Sequence, residues 1–154
     1  MRPEGSRPFV FISYNRATSA PWALLLKNEI QRQYSCDVFV DVAQSDTVGT
    51  IPNKLKRNIE RCDVFVCLVG ETTLSSPWVN SEIEIAYAAK KPMIPILQET
   101  FQVPRNLDQL PPHTQHLLLS DGVPLLDRRN VFVDATIKNL GEAIQQIISG
   151  SAKA

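Results

Sequence analysis

Apolar residues in this chain arrive in short unbroken runs, separated by segments with helical spacing. Phe9-Val10-Phe11-Ile12-Ser13-Tyr14, Val38-Phe39-Val40-Asp41 and Asp63-Val64-Phe65-Val66-Cys67-Leu68-Val69 are runs of the kind that suit strands buried on both faces. Pro92-Met93-Ile94-Pro95-Ile96-Leu97 reads as a fourth strand, weakened by two prolines that each remove a ladder donor. Arg129-Asn130-Val131-Phe132-Val133 reads as a short fifth one. Between them lie helical patterns. After a loop from Asn15 to Ala20, the stretch from Pro21 to about Tyr34 places Trp22, Leu25, Leu26 and Ile30 at core spacing. From Pro52 to about Arg61, Ile51, Leu55, Ile59 and Cys62 form one stripe. A last helix, capped by Asp134 and ended by Gly150, carries Ile137, Leu140, Ile144, Ile147 and Ile148. Thr100 to Leu126 is proline-rich and has no sustained period; it predicts loops and a short helix near Pro112 to Leu119.

Strands alternating with helices imply an α/β fold with an open parallel sheet, here of five strands, and helices on both faces. Residues 1–8 read as a flexible lead, 9–149 as one domain, and 150–154 as a tail or the start of a linker. In such sheets ligands bind beyond the carboxyl ends of the strands, where strand order reverses. Tyr14, Asn15 and Arg16 follow the first strand, Asp41 and the polar loop to Ile51 follow the second, and Gly70 to Ser75 follows the third.

That third loop feeds the most informative stretch, Ser75-Ser76-Pro77-Trp78-Val79-Asn80-Ser81-Glu82-Ile83-Glu84-Ile85-Ala86-Tyr87. Ser76 is placed to cap a helix whose first residue is Pro77, where a missing N–H costs nothing. At 3.6 residues per turn, Trp78, Glu82, Ile85 and Ala89 share one stripe, beside an apolar stripe of Val79, Ile83 and Ala86. Asn80, Glu84, Tyr87 and Lys91 fall on the polar side. Glu84 is therefore a solvated carboxylate. Glu82 stands among apolar neighbours, an awkward place for a charge unless something uses it. The plainer reading is a carboxylate favoured by the helix dipole by roughly 0.3–1 kcal/mol, or a boundary residue that reaches water; a residue in use would lie at a cleft, short of the deep core.

Composition narrows the functional classes. The chain has 154 residues, 44% hydrophobic and 21% charged, with 16 basic and 16 acidic side chains and no net charge. A neutral balance gives no electrostatic case for nucleic acid or an anionic membrane, and no apolar run approaches the ~20 residues of a membrane span. Cys36, Cys62 and Cys67 are an odd set without paired spacing, which fits buried thiols in a reducing cytoplasm. His113 and His116 stand in another segment, and no Cys-x-x-Cys exists, so a metal site is not expected. The phosphate-binding turn G-x-G-x-x-G, the P-loop and the G-x-S-x-G nucleophile elbow are all missing. A receiver-type acidic cluster after the first strand is missing too; Ser13-Tyr14-Asn15-Arg16 stands there.

Val10-Phe11-Ile12-Ser13-Tyr14, Val38-Phe39-Val40-Asp41, the spaced Gly49, Ile51, Leu55, Ile59 and Cys62-Asp63, and Ser76-x-Trp78-Val79-x-x-Glu82-Ile83 recur in order. In that order and spacing the chain resembles a TIR domain (Toll/interleukin-1 receptor and resistance-protein type), from about Phe9 to Leu97 and on toward Ile148. It is similar to the NAD+-cleaving members, among them bacterial antiphage TIR proteins and the animal axon-degeneration NAD hydrolase. The resemblance implies a flavodoxin-like fold. It makes Glu82, the glutamate of a W-x-x-x-E pattern, the catalytic residue for cleavage between nicotinamide and ribose. NAD+ is then the substrate, and no cofactor is called for. The resemblance further implies substrate contacts from Tyr14 and Asp41, a diphosphate contact from Arg16, and a nicotinamide wall from Phe39 or Trp78. The segment holding Asp46, Gly49 and Ile51 corresponds to the loop that gates the site and docks onto a neighbouring TIR domain. The sequence departs from the animal enzyme type at Asn15, where that type has a second basic residue. It departs again near Val103, which lacks the expected aromatic, and near Arg128-Arg129-Asn130, which lacks a histidine.

Two readings follow. One is an NAD+ glycohydrolase or cyclase, activated by self-assembly in an immune or cell-death pathway. The other is an adaptor that signals by TIR–TIR association alone. Glu82 after Trp78 favours the enzyme. A deoxyribosyltransferase-like enzyme is a distant third, set aside by the order of the boxes.

Overall fold

The computed structural model describes residues 7–40, 53–70, 73–98, 104–120, 123–125 and 130–153. In chain order these form β1 (Phe9–Ser13), α1 (Arg16–Gln33), β2 (Asp37–Val40), α2 (Asn53–Arg61), β3 (Val64–Val69), a 3-10 turn (Thr73–Ser75) and α3 (Pro77–Ala88). There follow β4 (Met93–Gln98), a second 3-10 turn (Leu107–Gln109), α4 (Pro112–Leu119), β5 (Val123–Leu125) and α5 (Asn130–Lys153). The described strands make one five-stranded sheet in the order β2-β1-β3-β4-β5, with every pairing parallel.

A parallel sheet needs cover on both faces, and alternation along the strands divides the core in two. Val10, Ile12 and Tyr14, with Val64, Val66 and Leu68, pack against Ala23, Leu26 and Ile30 of α1 and Ile137, Leu140 and Ile144 of α5. Phe11, Phe65, Cys67 and Val69 pack on the opposite face against Leu55 and Ile59 of α2, Val79, Ile83 and Ala86 of α3, and Leu117 of α4. Phe39, Phe11 and Phe65 stack across β2, β1 and β3, with ring centroids 5.3 and 5.7 Å apart. Asp63 closes the lower edge: its carboxylate accepts from the Phe9 N–H at 2.8 Å, and its own N–H donates to the Phe9 carbonyl at 2.7 Å.

Several boundaries differ from the sequence expectation. The fifth strand is Val123–Leu125, and the Val131-Phe132-Val133 run lies inside α5. A β-branched and aromatic triplet favours a strand only weakly, and tertiary context overrides it. Pro124 is compatible with β5 because that strand is an edge. Helix α1 begins at Arg16, so the expected loop to Ala20 is helical and Pro21 lies within it. The first four helical N–H groups have no partner in any case, so Pro21 forfeits one bond just inside the free end. Helix α5 likewise continues through Gly150 to Lys153.

Pro95 is tolerated within β4 for a related reason. The Phe65 N–H donates to the Pro92 carbonyl at 2.9 Å, so Pro92, Ile94 and Ile96 direct their backbone groups at β3. Pro95 therefore faces the β5 side, where pairing starts only at Ile96.

Gly141 fixes how α5 meets the end of α1, because a Cβ there would fall inside the Tyr34 ring. Gly141→Ala should lower stability by about 1–3 kcal/mol, the usual cost of overpacking. In a Tyr34→Ala background the same change should gain up to ~1 kcal/mol of helix propensity. Denaturant melts of the four variants in this cycle check the reversal of sign. The cysteines give a second prediction. Cys36, Cys62 and Cys67 are buried and unpaired. Burial raises all three pKa values, that of Cys62 to about 12. At about pH 8, where an ordinary thiol is partly ionised, the folded domain should resist alkylation that labels every cysteine in denaturant. Rapid labelling of the native protein, read by mass spectrometry, would contradict the burial.

Candidate active site

The chain turns from β1 to β2 on one side and places β3 on the other, so strand order reverses at the carboxyl ends of β1 and β3. Ser13 is the last residue of β1 and pairs in register with Cys67 of β3. It shares the phase of Phe9 and Phe11, so its hydroxyl emerges on the face covered by α2, α3 and α4. There it donates to Glu82 Oε1 at 2.9 Å. Ser13 and Glu82 are both fully buried. Cys67 joins them: burial drives its thiol well above the ordinary range, the Glu82 charge pushes the same way, and the Ser13 hydroxyl partly opposes both.

The phase of α3 is what delivers Glu82 to this point. After β3, the Gly70 N–H donates to Thr73 Oγ1 at 2.7 Å, and the buried Thr73 opens the 3-10 turn. Ser76 then caps α3, accepting from the Val79 N–H at 3.3 Å, with Pro77 as the first helical residue. Asn80 Nδ2 ties the turn to the helix by donating to the carbonyls of Leu74 at 2.6 Å and Ser76 at 3.0 Å. With the start so fixed, Val79, Glu82, Ile83 and Ala86 are buried, and Glu84 is exposed. The expected difference between the two glutamates is present. Glu82 lies deeper than a cleft boundary, however, with 0% of its surface exposed. The reason is that Ser13 and Cys67 supply a polar floor at a place where periodicity alone indicates only apolar neighbours.

The other expected site residues divide. Trp78, one turn before Glu82, and Phe39, stacked on Phe11, are partly buried against the Glu82 face. Tyr14 is not brought to it. As the residue after Ser13 it points to the opposite side of the sheet and is buried with Ile12, Val40 and Leu26. Arg16 begins α1 at the carboxyl end of β1, with its side chain outside the described set. Asp41, Asp46, Gly49 and Ile51 lie outside the described residues. Sequence reasoning missed Ser13, Cys67 and Thr73. For Ser13 a signal existed, a hydroxyl interrupting an apolar strand in phase with two core phenylalanines.

The remaining chemistry lies elsewhere. A groove of about 620 Å³ is lined by Tyr87, Ala88, Lys90, Lys91, Pro92 and His116. It opens where α3 ends and β4 begins, at the amino edge of the sheet, away from Glu82. Its lysines sit beside the negative end of the α3 dipole, an ordinary place for them. His113 is half-buried on α4, and burial depresses its pKa, offset in part by the charge of Glu84. Among the described residues no group of three or more His, Cys, Asp or Glu side chains is placed to hold a metal ion. No described helix is long and apolar enough to cross a membrane.

Known proteins resemble this chain in sequence and in fold. The chain is 31% identical over 123 residues to the NAD(+) hydrolase tir-1 of Caenorhabditis elegans, an alignment covering 74% of this chain and 12% of that protein. It is 34% identical over 104 residues to the NAD(+) hydrolase SARM1 of Danio rerio, covering 62% and 14%. The chain thus spans about an eighth of the length of these relatives. Among solved structures it is similar to the TIR domains of the activated Roq1 resistosome, which recognises the pathogen effector XopQ. That TM-score is 0.66 at 16% identity, over 89% of this chain and 99% of the other, a likeness of fold. The profile described as TIR domain matches residues 10–148. On that match, together with the parallel sheet and the glutamate at its switch point, the chain belongs to the TIR domain family.

Proposed function

We propose that this domain cleaves NAD+ at the bond between nicotinamide and ribose, with Glu82 as the catalytic carboxylate. The observation that carries the reading is the buried Glu82, hydrogen-bonded by Ser13 at the carboxyl ends of the central strands. The NAD(+) hydrolase names of the tir-1 and SARM1 relatives support it.

One carboxylate suffices for this reaction. Ordinary glycosidases need a second carboxyl group to protonate a leaving oxygen. Nicotinamide departs from a cationic ring nitrogen. When the C1′–N bond breaks, its electron pair neutralises the pyridinium, and no proton is required. The ribosyl centre then carries oxocarbenium character, which an anion held in a dry site stabilises strongly. Water attacks C1′ and releases a proton to give linear ADP-ribose. An atom of the same ADP-ribose attacks instead where water is excluded, giving a cyclic isomer. Trp78 and Phe39 supply apolar surface for the departing ring, and Arg16 a guanidinium for the diphosphate.

Glu82 has no exposed surface in the single chain. Substrate therefore reaches it through a rearrangement, and association with other TIR domains, through the segment that includes Asp46, Gly49 and Ile51, is the step we assign to it. A cytoplasmic immune or cell-death role is consistent with such gating.

The test is nicotinamide release from NAD+ by concentrated protein with a crowding agent. Release should rise faster than linearly with protein concentration. Glu82→Gln, which keeps the size of the side chain and an acceptor for Ser13, should fall by about 100-fold or more. The exposed Glu84→Ala should stay within about twofold. No release under conditions where the domain demonstrably self-associates would establish the adaptor reading instead.

A further inference from the structure

We propose that Ser13 is a positioning residue for the reaction: its hydroxyl aims the Glu82 carboxylate and keeps it ionised in a dry site. The inference rests on Glu82 serving the ribosyl centre. Three observations lead to it. The Ser13 hydroxyl donates to Glu82 Oε1 at 2.9 Å, with neither residue exposed. Ser13 belongs to β1, an interior strand paired on both sides by β2 and β3, and is itself in register with Cys67 of β3. The acceptor is held as firmly, because the Ser76 cap and the two Asn80 bonds fix the start of the helix that carries Glu82.

The chemistry follows from the surroundings. From β3 the titratable group facing Glu82 is Cys67, which burial keeps as a neutral thiol. A thiol does not compete for the serine proton as a thiolate would. Leu55 of α2 and Leu117 of α4 make this face apolar, and Glu84 points outward from α3. Burial alone therefore favours the protonated, uncharged acid, which is of no use to an oxocarbenium ion. A hydrogen bond donated to the charged form opposes that tendency and fixes the plane of the carboxylate.

The experiment compares wild type, Ser13→Ala, Ser13→Thr, Ser13→Cys and Glu82→Gln in NAD+ cleavage, with kcat, KM and the pH profile measured for each and folding checked by thermal melts. Without the donor, the protonated form of Glu82 is favoured, so the acid limb of the profile should move to higher pH by about one unit. In Ser13→Ala, kcat should fall by roughly 10–100-fold with KM within about twofold, the pattern of lost positioning. Ser13→Thr, which restores a hydroxyl, should regain most of the loss. Ser13→Cys, close in size but a weak donor, should not. Wild-type kcat and an unmoved acid limb in Ser13→Ala, or in Ser13→Cys where Ser13→Ala does not fold, overturns the role. So does equal kcat in folded Ser13→Thr and Ser13→Ala, which assigns the loss to packing. Loss in Glu82→Gln beside either result leaves the catalytic assignment standing. Wild-type turnover by Glu82→Gln removes that assignment, and the role of Ser13 with it.

Discussion

The arrangement depends on lodging one carboxylate between a sheet and a helix without exposing it. A buried, ionised carboxylate is tolerated only where hydrogen bonds replace lost water. Here the replacement comes from a strand and the carboxylate from a helix, so two independent registers must agree. Slipping β1 by one residue would turn Ser13 toward α1 and α5 and bring Tyr14 to the Glu82 face. Advancing α3 by one residue would rotate Glu82 by about 100° around the helix. The devices that prevent either slip are visible. Asp63 pins the start of β1 through the Phe9 N–H, and the Phe39–Phe11–Phe65 stack ties the register across three strands. Ser76, Pro77 and the two Asn80 bonds fix where α3 begins.

Much of this was legible before any coordinates. The apolar runs that became β1 and β3 are buried on both faces, and such strands announce themselves without alternation; β2, at the sheet edge, buries Val38 and Val40 on one face and only partly covers Phe39 on the other. The start of α3 was readable because capping is local chemistry, and the contrast between Glu82 and Glu84 followed from helical phase alone. The misreadings have the opposite character. Val123–Leu125 contains a proline and is a strand only because β4 offers an edge beside it. Val131-Phe132-Val133 has the composition of a strand, yet α5 continues through it. Asn15 to Ala20 reads as a loop, but α1 had already begun at Arg16. Each case is settled by tertiary context that a local window does not contain. The depth of Glu82 is the same kind of fact. Periodicity placed it among apolar residues, but its partner comes from 69 positions earlier in the chain.

A site that is sealed in the single chain has a chemical use. Dryness strengthens the effect of a fixed charge on a developing cation, since the interaction is not screened by water. In the proposed reaction the same dryness would decide the product, because water and an internal atom of ADP-ribose would compete for one centre. A domain that opened only on assembly, as proposed, would keep its carboxylate from acting on a common metabolite until then. Gating and product selection would then be two consequences of one property, the exclusion of solvent around Glu82.

Fold alone does not make this domain an enzyme, since a parallel sheet of this kind supports many activities. The distinction between enzyme and adaptor turns on whether the buried pair is useful. Replacing both partners of a buried polar contact by apolar groups of the same shape is often neutral or stabilising, whereas removing one partner is costly. A TIR domain with apolar residues at both positions 13 and 82 would keep its β1–β3 pairing, its α3 cap and its aromatic stack. Assembly needs nothing from that pair either, because it lies beneath the surface that another domain can touch. Stability and association therefore leave Ser13 and Glu82 without a purpose together. The proposed chemistry on a cationic sugar would supply one, through the 2.9 Å bond between them.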